Sequence, residues 1–172
     1  MSEWDKLTFY NPSKGNLKFN GVLEEVFNYL KETPKEFYEI VVGCDSPSDE
    51  KPAFPVVLVV LRRGMGGRFF ITKIKYPDSE KKKFINFHQR ILEEVYLSCE
   101  FALKFREALK KKIEKSPLPL KYEFEYIHAD VGENGRTKDM IKEVAGLIKS
   151  NGFLPRIKPD SFAASVVADR FT

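Results

Sequence analysis

Tyr38-Glu-Ile-Val-Val-Gly-Cys-Asp45, Phe54-Pro-Val-Val-Leu-Val-Val-Leu61 and Arg68-Phe-Phe-Ile-Thr-Lys-Ile-Lys-Tyr76 follow one another with only turn-rich links between them. The first stretch is β-branched and runs into Asp45-Ser-Pro-Ser-Asp-Glu-Lys-Pro52, a composition that forms turns. The second is apolar at consecutive positions, which suits a central strand covered on both faces. The third alternates and carries Lys73 and Lys75, as an edge strand does. Gly64-Met-Gly-Gly67 joins the last two as a hairpin. The core therefore opens with three antiparallel strands.

On the amino side, residues 1–19 are aromatic and turn-rich, and are expected to wrap the surface. Asn20 to Lys31 reads as a short helix, stopped by Thr33-Pro34. On the carboxyl side, one long helix is expected over 84–113, with apolar positions Phe84, Phe87, Ile91, Val95, Ala102, Phe105 and Leu109 in one stripe. A fourth strand over 122–130 follows, then a helix over 136–150 closed by Asn151-Gly152. A short fifth strand over 153–158 and a last helix over 159–171 complete the chain. Strands paired locally at first and then alternating with helices predict an α/β fold, with a five-stranded mixed sheet flanked by helices. The expectation is a single domain over 1–172, an N-terminal extension (1–37) and a core (38–172).

The chain has 172 residues, long enough to bury roughly 70% of its unfolded surface. Its longest uninterrupted apolar run, Ala53 to Leu61, falls far short of the roughly 20 residues that a membrane helix needs. Met1-Ser-Glu-Trp-Asp-Lys6 has no apolar signal region. Cys44 and Cys99 are too few for a disulfide framework or a structural zinc site, and a cytoplasmic protein with reduced thiols is expected. A net charge of +4 permits a polyanionic partner without demanding one.

The chemistry rests on acidic residues. Asp45 and Asp130 stand at the carboxyl ends of the first and fourth strands, where open α/β sheets place ligands. If those strands lie side by side and parallel, the two carboxylates meet, and like charges so placed need a cation or a proton between them. On the long helix, Glu94 falls about 60° from the centre of the apolar stripe and Glu93 about 160°, so Glu94 is the one that leans over the sheet. Asp169 follows the small, apolar run Ala163 to Ala168 in the last helix. Taken alone, Asp45 and Asp130 read as turn or cap residues, Glu94 as a solvated helix residue and Asp169 as a salt-bridge partner; the joint pattern is what points to a site. All-oxygen donors suit Mg²⁺ or Mn²⁺ rather than zinc.

This order of acids resembles that of the ribonuclease H-like superfamily. The chain is also similar to the uncharacterised bacterial YkuK-type family within it. The residues that carry the likeness are Asn11-Pro-Ser-Lys-Gly15, Val42-Gly-Cys-Asp-Ser46, Arg62-Arg-Gly-Met-Gly-Gly-Arg68, Arg90-Ile-Leu-Glu-Glu-Val95, His128-Ala-Asp-Val-Gly-Glu-Asn-Gly-Arg-Thr-Lys138 and Ile157-Lys-Pro-Asp-Ser-Phe-Ala-Ala-Ser-Val-Val-Ala-Asp-Arg170. The resemblance implies a ribonuclease H-like fold with Asp45, Glu94, Asp130 and Asp169 as metal-binding acids. One departure is that Asp45 is followed directly by Ser46, where the nucleases usually have a glycine between the Asp and a following Ser or Thr. The implied activity is hydrolysis of nucleic-acid phosphodiesters with two metal ions about 3.5–4 Å apart. Ser46, Lys158 and Arg170 are expected at the substrate, and His128 could assist proton transfer. The alternative is a non-catalytic nucleic-acid- or protein-binding module. The oligomeric state stays open, a resolvase-like homodimer included.

Overall fold

The computed structural model describes residues 1–80, 83–84, 86–168 and 170. A short helix α1 (Glu3–Lys6) is followed by strands β1 (Phe9–Asn11) and β2 (Gly15–Leu17), helix α2 (Phe19–Glu32), and strands β3 (Phe37–Cys44), β4 (Phe54–Arg62) and β5 (Gly67–Ile74). Helix α3 (Phe87–Glu114), strand β6 (Lys121–His128), helix α4 (Ile141–Ser150), strand β7 (Leu154–Arg156) and a π-helical segment (Ala163–Ala168) follow. The sheet has seven strands in the order β2-β1-β5-β4-β3-β6-β7. The expected meander is present, with β3–β4 and β4–β5 antiparallel, while β3–β6 and β6–β7 are parallel.

The strand count corrects the expected five, because residues 9–17 join the sheet instead of wrapping the surface. Asn11 explains how. Its side-chain oxygen accepts the amides of Ser13 and Lys14, closing the turn, and its side-chain nitrogen donates to the Phe69 carbonyl of β5. Gly15, at φ 70°, supplies the left-handed position that this turn needs. β1 and β2 then pair, and Tyr10 registers with Ile71, so the lysine-bearing β5 is not the sheet edge.

The two faces are covered differently. Tyr38, Ile40, Val42, Phe54, Val56 and Leu58 join Phe101, Phe105 and Leu109 of α3 and residues of α2 and α4 in the main core. On the other face, Val41, Val57, Val59 and Ile71 pack with Ala163 and Ala168. A central strand covered on both sides has no polar face, which is why β4 reads as a continuous apolar run. No helix among the described residues is long and apolar enough to cross a membrane.

Helix ends follow local chemistry. The Asn86 side chain accepts the Gln89 amide at 2.9 Å and caps α3. Asn86→Ala is expected to destabilise the fold by about 1 kcal/mol, and Asn86→Ser by only tenths, in urea unfolding. α4 starts later than expected because residues 131–137 close a loop in which the Thr137 hydroxyl accepts the Gly132 amide. The last segment also departs from a regular helix. The Ala163 amide donates to His128 Nδ1 rather than to its own turn, and the Ser165 hydroxyl donates back to the Ser161 carbonyl.

Candidate functional site

β3 and β6 run parallel with Gly43 opposite His128, so Asp45 and Asp130 each lie two residues beyond that register, at neighbouring strand ends. α3 packs across β3 and brings Glu94 in from the helical side. Glu94 is 2% exposed, whereas Glu93 is half-buried and accepts the Tyr76 hydroxyl. Ser46 holds the Glu94 carboxylate: its amide donates to Oε1 at 2.9 Å and its hydroxyl to the same atom at 2.5 Å. Burial pushes the Glu94 carboxyl up to about 8, and the charge of Asp45 pushes the same way, while the Ser46 bonds and Arg90 oppose it. Such a group holds a proton at neutral pH or meets a cation. Burial likewise pushes the Cys44 thiol well up, removing it as a ligand or nucleophile at neutral pH.

Asp130 is served differently. Lys158 Nζ lies 3.0 Å from its Oδ1, and the Lys158 amide donates to the Val131 carbonyl at 2.8 Å. Gly132 lets the lysine stem lie against the loop, since a Cβ there would stand 3.0 Å from Lys158 Cβ. The ammonium thus stands beside Asp130 where a cation would.

His128 is buried, its ring edge-on to Phe162 at 4.6 Å, with Nδ1 accepting the Ala163 amide. That bond assigns the proton to Nε2, which has no partner among the described residues. Burial, aided by Arg156, lowers its pKa to about 3, so the ring is neutral and anchors the last segment. Arg170 is exposed, and Asp169 lies outside the described residues.

The structure therefore brings Asp45, Ser46 and Glu94 together and sets Asp130 with Lys158 at the next strand end. Among the described residues, no group of three or more His, Cys, Asp or Glu side chains converges as a metal site. The Asp45–Glu94 pair nonetheless fits a hard divalent cation, because a buried carboxylate beside a second one is compensated by positive charge and both offer only oxygen. Ser46 was expected at the substrate and instead spends both donors on Glu94. The sequence signal for that role is the direct Asp45-Ser46 adjacency. Nothing local in the sequence announces the Lys158–Asp130 pair, which forms only because β7 returns beside β6.

Comparison with known proteins adds two findings. A family model described as ribonuclease H-like matches residues 21–172. "Uncharacterized protein YkuK" of Bacillus subtilis (strain 168) is 30% identical over 173 residues, covering 98% of each chain. No solved structure matches.

Proposed function

The chain belongs to the ribonuclease H-like family, and from that premise we propose that it hydrolyses nucleic-acid phosphodiesters, using Mg²⁺ or Mn²⁺ held by Asp45, Glu94, Asp130 and Asp169. The observation that carries this reading is the buried Glu94 carboxylate, oriented by Ser46 and facing the charge of Asp45. Bound divalent ions would supply a water nucleophile of lowered pKa and offset charge on the phosphate.

The protein's own residues divide the remaining work. Ser46 fixes the Glu94 oxygen that must not rotate away. Glu94 releases its proton as positive charge arrives beside it. Lys158 leaves Asp130 for the phosphate, a short movement for a side chain 46% exposed. The second reading, a non-catalytic nucleic-acid- or protein-binding module, is favoured by that same ion pair, which compensates Asp130 without any metal.

Turnover of labelled single-stranded, duplex, hybrid and branched oligonucleotides in Mn²⁺ separates the two. The hydrolase reading predicts cleavage of at least one substrate by the wild type and none by Asp130→Asn. Salt-sensitive binding with no cleavage of any of them establishes the module instead.

A further inference from the structure

We infer that Arg90 and Arg136 form a seat for a backbone phosphate of a nucleic-acid strand, beside the acidic pair. This deepens the hydrolase reading and rests on it for the direction of the strand, but not for the binding itself. A cavity of about 320 Å³ is lined by Phe84 and by residues from α3 and from the loops that follow Asp45 and Asp130. The loop after Asp45 contributes Ser48 to Glu50, α3 contributes Phe87 and Arg90, and the loop after Asp130 contributes Arg136. Arg90 lies one helical turn before Glu94, close enough for its charge to act on that carboxyl.

What sets these two guanidiniums apart is that both line one cavity while neither is neutralised by a carboxylate among the described residues. Arg62, Arg68 and Arg156 are each ion-paired with a glutamate. Among the described residues, no ion pair engages Arg90 or Arg136. Arg90 Nε is buried without a hydrogen-bond partner, as Arg62 Nε also is, but among those residues Arg90 has no ion-paired carboxylate to offset it. Arg136 lies over the Phe87 ring at 4.8 Å and is exposed. Two forked donors lining one cavity match the tetrahedral oxygens of a phosphate better than a point charge does. Asp49 and Glu50 also line the cavity, but both are exposed, and Asp49 accepts the Lys51 amide. Their repulsion weakens the seat rather than filling it.

The test is anisotropy of a short labelled single strand with the full-length protein in EDTA, across a salt series. Arg90→Gln and Arg136→Gln should each weaken binding about tenfold and lower the slope of log affinity against log salt by about 0.7. Arg136→Lys should recover most of the slope, and Asp49→Asn should tighten binding. Unchanged affinity and slope in Arg136→Gln overturn the proposal, and that exposed position decides the matter even if Arg90→Gln fails to fold. A mononucleotide that displaces the strand at equal concentration overturns the assignment to a strand. The assay holds no metal, so absence of cleavage elsewhere would count against hydrolysis and leave an arginine-dependent seat standing.

Discussion

Glu94→Gln should make the metal-free protein more stable above about pH 8, and should abolish its response to Mn²⁺. The carboxyl has an ordinary value of 4.5 and is pushed up to about 8 in the fold, chiefly by burial. Below about pH 4.5 both folded and unfolded chains keep the proton, and Glu94 costs nothing. Between about 4.5 and 8 the unfolded chain releases it while the folded chain retains it, so stability falls as pH rises through this window and levels off above it. The full penalty is on the order of 5 kcal/mol. Glutamine keeps the oxygen that accepts both Ser46 donors and offers an amide toward Asp45, without the buried charge. The gain in unfolding free energy should thus be near zero at the acid end and largest at the alkaline end. Saturating Mn²⁺ should stabilise the wild type, by about 2.7 kcal/mol at a hundredfold excess over Kd, and leave the variant unmoved. A variant equally destabilised at both ends of the pH range would contradict the account of Glu94.

Gly43→Ala should be the most damaging single-methyl change near the site. A Cβ at Gly43 would stand 2.7 Å from the Ala164 nitrogen and 3.0 Å from the Ala163 carbonyl carbon, both backbone atoms that cannot rotate aside. Relief requires the last segment to lift from β3, straining the Ala163–His128 hydrogen bond and the packing of Ala163 and Ala168 on Val41 and Val57. Overpacking of this kind costs about 1–3 kcal/mol, and hydrogen exchange should show the Ala163–Ala168 amides losing protection first. Because Asp169 is the next residue in the chain, Mn²⁺ affinity should fall as well. Gly146→Ala is the matching control. That glycine lies within α4 with nothing within 4 Å of a Cβ, so alanine should stabilise by about 0.5–1 kcal/mol. Equal effects from the two substitutions would remove the steric account.

Much of this geometry was legible in the sequence because it follows from periodicity. The three-strand meander is written in β-branched and apolar runs, and the burial of Glu94 rather than Glu93 follows from their angles around α3. The N-terminal hairpin was not legible. Strands of three residues carry too little alternation, and β1 is recruited by side-chain bonds from Asn11 and Thr72 as much as by its own pattern. The last segment reads as a regular helix until His128, far away in sequence, takes the Ala163 amide. The partners of Asp130 and the cavity of Arg90 and Arg136 are equally non-local, since they depend on which loops the parallel strands bring to one edge. Residue type could nominate the acids, but only the packing shows which of them Ser46 and Lys158 hold.

The central claim is that Asp45 and Glu94 belong to a divalent-cation site, and calorimetric titration of Mn²⁺ into metal-free protein above about pH 8 tests it most directly. The account predicts saturable binding by the wild type that disappears in Asp45→Asn while the variant stays folded. Indistinguishable heats from the two proteins, whether saturable or negligible, would contradict it.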